Sequence, residues 1–278
     1  MISTSIFRGI LAPLAFLLWT ASSLAGAAPL HVPAQAITDP HFTLAPGYLA
    51  ASDLPANLAL LGAPPTPDSA AFARDEEARR EALALRGTVR EVLAAQDAEL
   101  VFPAPARAFS CALGVDITSK QTPHLYTLMR KVLTDAGLST YTGKNAFNRT
   151  RPFVAHNEST CRPDMEPVLR HDGSWPSGHS AAGWAWGLIL AQVAPNRAGS
   201  VMARGLAFGQ SRVICDAHWQ SDVDAGRLLG AATVARLQSD TAFLADVAAA
   251  RKEVRAAEQA GLKPTGDCSA EDLALRLR

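Results

Sequence analysis

Residues 177–237 read SGHSAAGWAWGLILAQVAPNRAGSVMARGLAFGQSRVICDAHWQSDVDAGRLLGAATVARL, and this stretch decides the fold. Apolar and small residues recur through it at helical spacing, while the sustained Val/Ile/Thr alternation of strands is almost absent. It predicts helices over 180–193, 197–213 and 222–237, with another over 240–260. Gly183, Gly187, Gly205, Gly209, Gly226 and Gly230 lie inside these helices, each about 1 kcal/mol less favourable than alanine, which implies helices that approach closely. The expected fold class is all-α, a single-domain helical bundle.

Upstream, Thr122 followed by Pro123 reads as an N-cap with proline in the first turn. Leu125, Leu128, Met129, Val132 and Leu133 then recur helically until Gly137. Residues 75–96 mix Ala, Leu, Glu and Arg with one interruption at Gly87, predicting a long or kinked helix. Residues 138–175, rich in polar groups, Gly and Pro, read as a long loop region of the kind that carries function. Residues 28–66 hold seven prolines, with Pro67 just beyond, and little periodicity, and are expected to wrap irregularly over the body. The expected organisation is a signal peptide over 1–27, this proline-rich segment over 28–66, a helical domain over 67–260 and a C-terminal tail over 261–278.

The signal-peptide expectation rests on Arg8, an apolar run over 10–19 and an A-x-A pattern at Ala25-Gly26-Ala27, with cleavage after Ala27. That run is well short of the roughly 20 residues a spanning helix needs, and so is the later one over 181–194. Export makes one or two disulfides among Cys111, Cys161, Cys215 and Cys268 plausible; sequence alone selects no pairing. With 26 basic and 26 acidic residues and a pI near 7.1, the chain carries no broad basic field, which argues against nucleic acid or anionic membrane as a partner. Any anion site must be local.

Three clusters supply one. Lys144 and Arg151-Pro152 come first, then Pro176-Ser177-Gly178-His179, then Ser211-Arg212 with His218 and Asp222. Phosphoryl transfer needs preorganised donors for the equatorial oxygens, with a nucleophile and a leaving-group acid in line. Lys144, Arg151 and Arg212 offer the charge. Ser177 and Gly178 stand at a predicted helix start, where free N–H groups and the helix dipole favour an anion. Asp222, four residues after His218, can hold one ring nitrogen and leave the other free to attack phosphorus, if the two share a helical turn. His179 remains as the acid. No C-x-x-C or H-E-x-x-H spacing occurs, so a zinc site is the weaker reading, and no cofactor is expected.

These motifs, K-x6-R-P, P-S-G-H and S-R-x5-H-x3-D, resemble the tripartite signature of the type 2 phosphatidic acid phosphatase superfamily. Within it the chain resembles the bacterial class A non-specific acid phosphatases over about 66–255. The closer likeness lies in Gly173-Ser174-Trp175-Pro176-Ser177-Gly178-His179-Ser180, where that family usually reads G-S-Y-P-S-G-H-T, and in the run from Gly209 through Cys215 to Asp224. The resemblance implies the acid phosphatase/vanadium-dependent haloperoxidase fold and a metal-independent, periplasmic, commonly homo-oligomeric enzyme acting on small-molecule phosphomonoesters such as nucleotides, sugar phosphates or aryl phosphates. It implies His218 as nucleophile through a phosphohistidine, His179 as acid and Asp222 as orienting partner. Lys144, Arg151, Ser177, Gly178 and Arg212 would bind phosphate. Phosphotransfer to alcohols is an expected side activity. The rivals are a vanadium-dependent haloperoxidase, an integral-membrane lipid phosphatase and a silent phosphate binder; chain length, hydropathy and the presence of both histidines argue against them in turn.

Overall fold

Regular structure follows the helical periodicity along the long helices. The computed structural model describes residues 44–56 and 58–277 together with Met1, and among these every regular element is a helix. The signal-peptide expectation over 1–27, Met1 apart, and residues 28–43 of the proline-rich segment lie outside the described residues. The rest of that segment crosses the body without regular structure at first. Tyr48 and Leu49 donate their amides to the Asp135 carboxylate at 2.9 and 3.2 Å, and the Tyr48 hydroxyl donates to Asp246 at 2.6 Å.

After the single turn α1 (Leu58–Leu61) come α2 (Ala70–Leu83) and α3 (Val89–Asp97), the helical stretch expected over 75–96. The break falls at Gly87, whose φ of +75° suits glycine, and Thr88 then caps α3 by accepting the Arg90 amide at 3.2 Å. Helix α4 (Ala104–Leu113) has no counterpart among the sequence expectations; its ten residues end at Gly114, which takes a left-handed φ of +88°. Helix α5 (Pro123–Leu138) matches its expectation in extent, but Thr122 does not cap it with its side chain. The Thr122 hydroxyl accepts the Thr118 amide, and the open end of α5 is satisfied from a distance by Glu253, whose carboxylate accepts the His124 and Leu125 amides at 2.9 and 3.0 Å.

The expected loop over 138–175 contains three short helices, α6 (Tyr141–Phe147), α7 (Pro152–Ala155) and α8 (Glu166–Leu169). One or two turns are too few residues to establish a period, and the polar composition of the stretch conceals them. The four long helices follow: α9 (Gly178–Val193), α10 (Ala198–Ile214), α11 (Gln220–Leu237) and α12 (Thr241–Gln259).

Helix α9 is the core element, buried on most of its circumference and packed against α5, α10 and α11. The glycines explain how. A Cβ on Gly205 would stand 2.7 Å from the Gly183 carbonyl, and Cβ atoms on Gly226 and Gly230 would collide with the Ser177 and Ala181 carbonyls. Backbone therefore meets backbone between α9 and its two neighbours, which brings the first turns of α9 and α11 together. Trp186 fills the space beyond, its indole N–H donating to the Met129 carbonyl at 2.9 Å with Phe109 and Phe208 against its faces. Burial of each such side chain contributes about 1.5–3 kcal/mol.

The stretch expected as a tail carries α13 (Cys268–Arg276), tied to α4 by the Cys111–Cys268 disulfide. A second disulfide, Cys161–Cys215, joins the approach to α8 to the end of α10. Among the described residues no helix is long and apolar enough to cross a membrane.

Candidate active site

The ends of four helices converge on one cavity. Helix α6 carries Lys144, Arg151 precedes α7, Ser177 and Gly178 open α9 with His179 just inside it, and Arg212 closes α10. The chain then folds back on α10 as the Arg212 carbonyl accepts the Ala217 and His218 amides at 3.0 and 3.2 Å. That fold places His218 beside Arg212 before α11 begins.

His218 and Asp222 do meet, though not on a shared helical turn. His218 precedes α11, whereas Asp222 is in its first turn and accepts the Trp219 amide at 2.8 Å in a capping interaction. Capping turns the carboxylate back toward the helix start, leaving Oδ2 3.4 Å from His218 Nδ1. The Ser174 hydroxyl donates to the same Oδ2 in a short bond. The other oxygen, Oδ1, accepts Arg149 Nη1 at 2.6 Å.

The partners assign the tautomer. Arg151 Nη1 donates to the Ala217 carbonyl at 2.8 Å and lies 2.9 Å from His218 Nε2. A guanidinium can only donate, so Nε2 presents a lone pair and Nδ1 carries the proton toward Asp222. Burial, then the charges of Arg151, Lys144 and Arg212, hold His218 well below its ordinary value and therefore neutral. His179 is held low in the same way, by burial and then by Arg212. Its Nε2 lies 3.0 Å from the Ala98 carbonyl, an acceptor, so that nitrogen carries a proton and Nδ1 is left for exchange.

The cations are crowded. Lys144 Nζ donates to Asp172 Oδ2 at 3.0 Å and, in a short bond, to the Gly173 carbonyl; burial pushes it down to about 8 against the opposing pull of Asp172. Arg151 donates from Nε to the Asp172 carbonyl and from Nη2 to Asp172 Oδ2, both at 2.9 Å. Arg212 is 3% exposed and its Nε has no hydrogen-bond partner. Burial and the neighbouring Arg151 push it down to about 9. Mutually repelling buried cations with an unsatisfied donor form a place that an anion would stabilise.

The start of α9 adds neutral donors. The Ser177 hydroxyl oxygen accepts the Ser180 amide at 3.3 Å and the Ser180 hydroxyl at 2.9 Å, so its own proton remains to be donated. A Cβ at Gly178 would meet protein only at the Thr140 hydroxyl, 3.5 Å away. Packing does not require glycine there; close approach of an anion to its amide would.

The cavity holds about 420 Å³. Lys144, Arg151, Asp172, Gly178, His179 and His218 line its polar part, Leu100, Val101, Leu138, Met165 and Val168 its apolar wall, and Arg162 pairs with Asp164 at an exposed part of its rim. Ser177, Arg212 and Asp222 are buried beside it without lining it. Ser211, part of the third motif, faces away and donates to Asp97 at 2.6 Å. No group of three or more His, Cys, Asp or Glu residues suited to a metal ion occurs among the described residues.

Four residues around the site escaped sequence reading: Asp75, Arg149, Asp172 and Ser174. Arg149 lies two positions before Arg151, and Asp172 and Ser174 flank Gly173, so proximity to the motifs was their signal. Asp75, on α2, had none. It accepts Arg149 Nη2 at 2.8 Å, while the rings of Phe72, Trp175 and Trp219 surround that guanidinium at 5.4–5.9 Å.

Residues 124–242 match the family model described as the PAP2 superfamily. A non-specific acid phosphatase of Salmonella typhimurium is 46% identical over 192 residues, covering 69% of this chain and 77% of the relative. One from Providencia stuartii is 40% identical over 207 residues, with 74% and 84% covered. An acid phosphatase of Zymomonas mobilis is 37% identical over 207 residues, with 74% and 78% covered.

Proposed function

Since the chain belongs to the non-specific acid phosphatases of the PAP2 superfamily and is thereby a phosphomonoester hydrolase, we propose that it works through a phosphohistidine on His218. The observation that supports this most is the neutral His218, its Nε2 lone pair toward the cations and its Nδ1 proton toward Asp222. Lys144, Arg151 and Arg212, with the Ser177 hydroxyl and the Gly178 amide, hold the nonbridging oxygens. On binding, phosphate takes over the Arg151 donor and releases the lone pair. Nε2 then forms a bond to phosphorus as the ester P–O bond breaks, and His179 gives its proton to the departing oxygen.

In the second step neutral His179 takes a proton from water as the water oxygen attacks phosphorus and the P–N bond breaks. An alcohol in place of water would give a new ester, which is the phosphotransfer side activity. No metal takes part in this scheme, because side-chain cations and helix-end donors meet the charge. The Ala25-Gly26-Ala27 pattern supports export to the periplasm.

The test is hydrolysis of an aryl phosphate by the purified protein from pH 4 to 9 with EDTA present. Burial and Arg212 keep His179 below its ordinary value, so it binds its proton only on the acid side. Turnover is expected to resist the chelator and to fall as pH rises; undiminished activity in alkali would remove His179 as the acid. Absence of turnover would overturn the reading as a whole. Asp222→Asn should fold and retain weak activity, with kcat lower by roughly 10²- to 10⁴-fold, because the ring is no longer held in one tautomer. Wild-type kcat in that variant would remove Asp222 from its orienting role.

A further inference from the structure

Asp172 is a carboxylate standing where an anion is meant to bind. Its Oδ2 accepts both Lys144 Nζ at 3.0 Å and Arg151 Nη2 at 2.9 Å, while its carbonyl accepts Arg151 Nε. It lines the cavity with His179 and His218. Burial pushes it up, but the charges and hydrogen bonds of Lys144 and Arg151 together outweigh burial and hold it below the usual carboxylate range, so it is charged wherever the enzyme would work. Three cations act on His218, namely Lys144, Arg151 and Arg212, and a fourth, Arg149, is bonded to its partner Asp222. Three carboxylates stand against them, Asp75, Asp172 and Asp222. With His179 neutral the excess is one positive charge, matched to a phosphoryl monoanion; without Asp172 it would be two, matched to a dianion.

Resting on the phosphatase reading above, we propose that Asp172 is the charge-selecting residue of this site, sharing two of the phosphate-binding cations and favouring phosphate and its monoesters as monoanions. The acid preference then has a second origin beside the protonation of His179. The other titratable groups near Asp172 are Tyr141 on α6 and, around the same cavity, Glu99, Arg162 and Asp164. Arg162 is paired with Asp164 and Glu99, which leaves its charge answered before any ligand enters.

The experiment measures inorganic phosphate as a competitive inhibitor of aryl phosphate hydrolysis at pH 5.0 and 7.5, and independently by the shift it causes in the thermal melt. Asp172→Asn keeps an acceptor oxygen for Lys144 and Arg151 and removes the charge. It is expected to bind phosphate roughly five- to fifty-fold more tightly at pH 7.5, with a smaller gain at pH 5.0, and to carry its activity to higher pH. A residue that merely propped the two cations would give the opposite result, weaker binding at both pH values; that outcome, or unchanged binding, overturns the proposal. Should that variant fail to fold, Asp172→Ser, which also removes the charge, is read in the same way. The wild-type protein's own phosphate affinity is expected to fall several-fold between pH 5.0 and 7.5, and a rise would overturn charge selection. Wild-type protein that binds phosphate yet never hydrolyses the ester would instead fail the phosphatase reading.

Discussion

His218→Ala is expected to abolish turnover, with kcat lower by at least about 10⁴-fold, because Nε2 of His218 is the lone pair turned toward Arg151, whereas His179 serves the leaving group's proton. Truncation removes the atom that becomes bonded to phosphorus, so the oriented cations are left with a substrate and no covalent route. Phosphate binding should survive, since Lys144, Arg151 and Arg212 remain and one hydrogen-bonding partner of Arg151 is gone. A phosphate-dependent rise in melting temperature in an inactive variant would therefore separate loss of chemistry from loss of the fold. Wild-type kcat in His218→Ala would remove the phosphohistidine mechanism altogether.

Asp97→Ala should have the largest effect on stability, a loss of about 3–5 kcal/mol. Asp97 closes α3 at 1% exposure, accepting Arg204 Nη1 at 3.0 Å, Arg204 Nη2, and the Ser211 hydroxyl at 2.6 Å. Arg90 lies in the same buried cluster, donating to Ser211 at 3.1 Å. Removing the carboxylate leaves Arg204 with Glu271 alone and Arg90 without its nearest opposite charge. The midpoint of urea unfolding should fall with little change in slope, and the melting temperature by roughly 2–4 °C for each kcal/mol. Because Ser211, which carries the contact with Asp97, points about 100° away from Arg212 around α10, the folded fraction should keep its KM within a few-fold. A loss below about 1 kcal/mol would show that the cluster relaxes into water instead of being stranded.

Acid should weaken the fold as well as drive the proposed chemistry. His179 and His218 are buried with their proton affinity held below the ordinary value, so the unfolded chain takes up protons that the native state refuses. This contribution is present above the unfolded value near 6.5 and is lost progressively as pH falls from there through the lower folded values. Ligand bound among the cations offsets that loss by raising the affinity of both rings for protons.

Much of this protein is determined by its sequence alone. Helical periodicity over 180–260 requires an all-α body, and the glycines along it mark where helices touch, because only a missing Cβ allows carbonyl and Cα to approach. The eight residues of the candidate site are legible because each belongs to a short motif whose spacing is local. Local signals also mislead: the hydroxyl of Thr122 looks like a cap yet serves Thr118, and the polar stretch 138–175 hides three helices too short to show a period.

Only the tertiary structure decided what depends on residues far apart in the chain. Glu253 caps α5 from α12, Asp75 on α2 reaches Arg149 and through it Asp222, and four cysteines with three complete pairings adopt one. The proton positions on both histidines follow from Arg151 and Ala98, not from the residues beside them in sequence. Asp172 shows the same most plainly: next to a motif it is one more loop carboxylate, and only the folding of α6 and α7 around it sets two cations on a single oxygen. The reason is physical, since spacing along a chain constrains neighbours within a turn or two, whereas burial, partner and charge are fixed by which surfaces meet.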